Sequence, residues 1–356
     1  MHGIIRPDPV SLSTAARNLL CDCGGLQSGD PLVICYEDPR HGWYDAAVAS
    51  AVALEAQLMG MTVQFCEVLP PDMEQPAEVA AKLSEASNII YFARLGDQGR
   101  FSGDGGPRQI MVYARNASDL ASDFGCAPHR AMKILKTAVD DVLFTARTIR
   151  ITCPNGTLVE GYAPRIASNA SGSIADVTTR RFPLGVPAPV PAIHFSGRVV
   201  LTDSLTPTGN RAYVPAVLPL SGNVTAIVAK GRITGFEGDA RDVAAIRGHY
   251  MSVAERFGVD PFVVHSWHAG LHPGCRFFGP QGQNRDYWSN TVFSNPRMLH
   301  FHTCGTEAPG EISWNLVDAT VTVDDVPLWE NGVLRARAFP RLSDCLAAEP
   351  ALDDLF

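Results

Sequence analysis

The sequence of 356 residues contains no apolar run near the ~18 residues that cross a bilayer, so no membrane-spanning helix is expected. Nor does it have a basic excess. Its 29 Lys and Arg face 37 Asp and Glu, for a net charge of −8, which disfavours a general binder of nucleic acid or acidic membranes. No CxxC pair occurs among the nine cysteines, and their odd number argues for reduced thiols in the cytoplasm rather than a disulfide framework. The opening MHGIIRPDPVSLS has a basic residue but no apolar segment after it, so no secretory signal is read. A GxSxG elbow, an HExxH helix, a P-loop and a GxGxxG turn after the first strand are all missing. With 46% hydrophobic and 19% charged residues, disorder is excluded as the main state. The length suits about two domains of ~150 residues each.

The first 150 residues alternate short apolar runs with helical patterns. PLVICYED (31–38), TVQFCEVL (62–69), NIIYFARL (88–95) and QIMVYAR (109–115) read as strands. Helices are expected over 43–60, 76–87 and 129–147. That alternation predicts an α/β fold: an N-terminal βαβ domain with a parallel sheet. The glycine-rich GDQGRFSGDGG (96–106) follows a strand but lacks phosphate-cradling spacing and reads as a plain loop. From residue 151 the texture changes to Pro, Gly, Ser and Asn, and then to further strands. A hairpin is expected to turn at Lys230-Gly231, and an amphipathic helix to start at an Asp cap and end at Gly258. We therefore expect a scaffold domain over 1–150 and an α+β, mostly antiparallel domain over 151–356 that carries the site.

Five of the ten histidines, His265, His268, His272, His300 and His302, fall between residues 265 and 302. Neutral imidazole is the commonest ligand for divalent transition metals, and carboxylates complete such sites. His265 ends the apolar run PFVV at a strand end. His300 and His302 alternate along a strand and share a face, with Phe301 on the other. Glu307 and Glu311 follow on the next loop and strand. Trp267, Trp288 and Trp314 crowd the same stretch, as an aromatic core or as a stacking pocket for a planar ligand. Arg276 suits either an anionic substrate or a surface ion pair.

Five stretches carry a family likeness: YEDPRHGWYDAAVASAVALEAQLMGMTV, IRITCPNGTLVEGYA, GRITGFEGDARDVAAIR, HSWHAGLHPG and VDATVTVDDVPLWENG. Through them the chain resembles the M29 (aminopeptidase T-like) fold family, and within it the 2,5-dihydroxypyridine 5,6-dioxygenases. The resemblance implies a metal site in the C-terminal half, with His265 at the position of the first iron histidine. Where that family places a His-x-Asp pair, this chain reads Glu311-Ile312-Ser313. Glu311 at the histidine position and His302 from the preceding strand would restore two histidines and one carboxylate. The set His265, His302 and Glu311 has the composition of a non-haem Fe(II) centre.

The expected activity is thus an oxygenase acting on a small planar heterocyclic or phenolic substrate. His268, His272 or His300 would be acid–base or orienting groups, and Trp267, Arg276, Ser313 and Trp314 the pocket. A metallo-hydrolase using Zn, Co or Mn, with Glu307 or Glu311 as base, is the second reading. A metal-free member working through histidine acid–base chemistry or as a binding module is the third. By resemblance the chain is expected to form a homo-oligomer.

Overall fold

The computed structural model describes residues 8–71, 73, 76–97, 106–164, 179–207, 212–279, 282, 284–306 and 309–356. In the first half, β1 (Pro31–Tyr36), β2 (Thr62–Glu67), β3 (Asn88–Phe92) and β4 (Arg108–Val112) form a parallel sheet. All five residues of β3 are buried, as expected of a central strand whose neighbours run parallel and whose faces are covered. The helix Ala46–Leu58 lies between β1 and β2, Asp45 capping it by accepting from the Val48 amide at 2.8 Å.

The chain then builds β5 (Ile149–Thr152), β6 (Leu158–Gly161), β7 (Arg180–Phe182), β8 (Val190–Pro191), β9 (Ser196–Leu201) and the short pair β10 (Ser204–Leu205) and β11 (Leu218–Pro219). It continues through β12 (Val224–Ala229), β13 (Arg232–Glu237), β14 (Val264–Ala269), β15 (Met298–Cys304), β16 (Glu311–Val317), β17 (Thr320–Val323), β18 (Val326–Glu330) and β19 (Val333–Leu334). Besides the antiparallel pair β10-β11, two larger antiparallel sheets result among the described residues, in the orders β13-β12-β9-β6-β5-β17-β18-β19 and β16-β15-β14-β8. The class is α/β with a parallel first sheet and antiparallel sheets after it.

The local signals act as expected. Lys230 and Gly231 take φ of 50° and 71°, the two left-handed positions that a two-residue hairpin between β12 and β13 requires. The helix Ala240–Phe257 starts where Asp239 accepts from the Arg241 and Asp242 amides and stops at Gly258, φ 66°.

The chain does not divide cleanly at residue 150. The helix His129–Thr145 buries Met132, Leu135 and Val139 in the hydrophobic core of the second half. β7 returns to the first sheet and pairs in parallel with β4, giving the order β2-β1-β3-β4-β7. Among the described residues, no helix is long and apolar enough to cross a membrane.

Candidate metal centre

Three neighbouring strands set out the site by register. His268 on β14 faces His300 on β15, which faces Asn315 on β16; two residues along, Ser266, His302 and Ser313 line up in the same way. Because side chains alternate, these six share one face of the sheet. The opposite face carries the row Trp267, Phe301 and Trp314, each buried to 1% exposure or less. One face thus anchors the strands in the core while the other is left for polar groups. Gly270, directly after β14, lets the chain at Asn295 come close: a Cβ there would lie 2.1 Å from the Asn295 carbonyl oxygen.

His268, His300 and His302 are all buried, and one nitrogen from each lies within 4.8 Å of the others. Their ring centroids are 4.0, 4.8 and 5.0 Å apart. Two nitrogens at ~2.1 Å from a common ion can be at most about 4.2 Å apart, so binding would draw the rings in by some tenths of an ångström. His302 has a dedicated support. Its Nδ1 hydrogen-bonds the Glu311 carboxylate, whose Oε1 also accepts from the Ser313 hydroxyl at 3.1 Å. Glu311 is fully buried, and its backbone carbonyl accepts from the Tyr213 hydroxyl at 2.6 Å. A carboxylate on Nδ1 places the proton there and turns the Nε2 lone pair outward. His302 Nε2 is buried and has no hydrogen-bond partner among the described residues.

The three imidazoles line a cavity that is partly open to solvent. Ser289, Asn290 and Phe293, from the helix Arg285–Val292 and the residue after it, form a second wall. The first half supplies the third: Asp97, which closes the turn after β3, and Tyr113, which follows β4. Arg181 of β7 also lines it. Phe293 packs edge-on to Tyr113 at 4.9 Å and to His300 at 6.2 Å, so the aromatic lining comes from these rings.

The expected site residues therefore separate. His268, His300, His302 and Ser313 converge on the cavity, with Glu311 directly behind His302. His265 does not join them: its Nε2 bonds the Cys304 carbonyl at 2.7 Å, next to an irregularity in the β14–β15 register. Glu311 reaches the group through His302 instead of belonging to the three-nitrogen set. His272 is fully buried away from them, edge-on to Phe124 at 4.9 Å, and burial pushes its pKa down to about 3. Trp267 and Trp314 face the core instead of a ligand; the Trp314 indole donates to the Tyr250 hydroxyl at 2.7 Å. Arg276 is half exposed and pairs with Asp119 at 3.5 Å. Glu307 lies outside the described residues, as does most of the glycine-rich loop at 98–105.

Asp97, Tyr113, Arg181, Asn290 and Phe293 are among the lining residues that the sequence did not disclose. The one signal for Asp97 was its place in a glycine-rich loop after a parallel strand, the edge where such sheets put their ligands.

This parallel sheet, joined to antiparallel sheets that carry the histidines, is the M29-like, aminopeptidase T-like architecture. Among solved structures, the chain is similar to the 2,5-dihydroxypyridine dioxygenase of Pseudomonas putida KT2440, with 14% identity over 92% of this chain and 98% of that one, and a TM-score of 0.60. It is also similar to wild-type AmpT of Thermus thermophilus, with 11% identity over 92% and 99% of the two chains, and a TM-score of 0.53. The likeness is one of fold. No protein-family model matches the sequence. No curated protein matches it.

Proposed function

We propose that the protein is an enzyme with a single metal centre, an Fe(II) oxygenase in type. Its substrate is a small planar, hydroxylated heterocycle or phenol taken into the histidine cavity. The observation that carries this reading is the buried trio His268, His300 and His302 on a cavity wall, with His302 Nε2 left without a partner. Three neutral imidazoles suit borderline divalent ions, iron and zinc among them. Held there, Fe(II) would supply redox chemistry and open coordination positions for a hydroxylated substrate and dioxygen.

The chain's own part is positioning. Glu311 keeps His302 in the tautomer that presents Nε2 to the cavity. Tyr113 and Phe293 offer ring surfaces to a flat substrate, and Ser289 and Asn290 offer neutral hydrogen-bonding groups. A two-metal peptidase centre fits less well, since Glu311, the carboxylate behind His302, is already engaged by His302 and Ser313, and Asp97 across the cavity accepts from Tyr113.

Metal analysis of anaerobically purified protein, paired with O2 uptake on 2,5-dihydroxypyridine and related phenols, tests the reading. About one iron per chain is expected in the wild type and a loss of most of it in His300→Ala. Zinc with O2-independent turnover would select the hydrolase reading, which the same three-histidine donor set also suits. We also propose a homo-oligomer, to be checked by sedimentation.

A further inference from the structure

Asp97 lines the histidine cavity from the first half of the chain, on the turn Arg94–Asp97. It is 3% exposed. Its Oδ1 accepts from the Tyr113 hydroxyl at 2.8 Å. Among the described residues no cation pairs with it. Arg94, three residues before it, is held by Glu37 at 2.8 Å, and Arg115 is bonded to the Tyr44 hydroxyl. The other charged or titratable groups on this cavity are Tyr113, Arg181 and the three histidines. A carboxylate withdrawn from water without a cation is costly unless donors reach it, and one tyrosine hydroxyl supplies only one.

We propose that Asp97 is the proton acceptor for a ring hydroxyl of the substrate, so that the site selects hydroxylated aromatic or heteroaromatic compounds and holds them as oxyanions. This rests on reading the histidine cavity as the substrate site. On binding, the substrate O–H bond breaks, its electron pair stays on the ring oxygen, and the proton forms an O–H bond with Asp97. Tyr113 fixes the carboxylate's direction, and Arg181 on the same cavity favours the anion that results. The acid–base group thus comes from one sheet and the imidazoles from another.

The test is calorimetric titration of purified protein with 4-nitrocatechol, whose absorbance reports ring ionisation. It is run in two buffers of different ionisation enthalpy, at a pH where the free probe keeps its proton, with metal content measured alongside. In the wild type the proton stays on the protein. Asp97→Asn, nearly isosteric, should release about one more proton to buffer per probe bound and bind it at least about tenfold more weakly. Tyr113→Phe should keep the wild-type proton count while binding more weakly. Equal proton counts for wild type and Asp97→Asn, or no binding of the probe by the wild type, would overturn the proposal. A proton difference that persists in metal-free preparations would uphold it while counting against the metal reading.

Discussion

Glu311 and His265 show how one hydrogen bond decides what a residue can do. Both are suitable metal donors by chemistry, yet Glu311 spends an oxygen on His302 Nδ1, and the His265 ring is turned to the Cys304 carbonyl. Glu311→Gln should therefore weaken metal binding by about tenfold to a hundredfold without abolishing it, the usual effect of removing a group that orients a ligand. His265→Ala should leave metal content unchanged. Competitive chelator titration measures both, and loss of metal in His265→Ala would return it to the ligand set. The alternation His300-Phe301-His302 could be read directly, because strand side chains alternate. That His268 lies opposite His300 could not, since pairing across some thirty residues is set by the register of β14 on β15.

At the scale of the element, β15 owes its place to its apolar side. Trp267, Phe301 and Trp314 form a cross-strand row in the core, Phe301 and Trp314 being 5.7 Å apart. Trp314→Ala should cost about 3–5 kcal/mol by leaving a cavity and removing one of the Tyr250 hydroxyl's two partners, the other being Thr303, read as a lowered denaturation midpoint. The row's tryptophans were legible as aromatic neighbours, with core and stacking pocket left as alternatives, because sequence does not say which face of a strand meets solvent. Helix ends were easier, since their signals are local. Asp239→Ala removes the acceptor for two amides and should lower stability by about 1 kcal/mol in the same measurement. The lining from Asp97, Tyr113 and Arg181 was beyond reach, because it depends on how two sheets meet.

For the whole molecule, three histidines tie stability to pH, His249 and His272 buried and His129 partly so. Burial lowers the pKa of His272 to about 3 and those of His249 and His129 to about 4, Lys133 and Arg180 adding to the effect at His129. The unfolded chain takes up these protons below about pH 6.5, the native one only near 3–4. The contribution is therefore present above pH 6.5. It is lost as pH falls toward 4, at up to about 1.4 kcal/mol per pH unit for each histidine. Melting temperature should drop between pH 7 and pH 5, and His249→Phe, which keeps a ring against Tyr213, should reduce the drop. An equal drop in the variant would remove His249 from the account.

The three-residue strand β7 has one more consequence. Before it the chain has already helped build the second core and its large sheet; after pairing with β4 it returns to them through β8 and β9. The two halves are sewn together by this backstitch rather than hung on a single thread. A nick at the junction between the helices near residue 127 would not release a lobe. The nicked protein should elute from a sizing column with the intact one and separate only in denaturant.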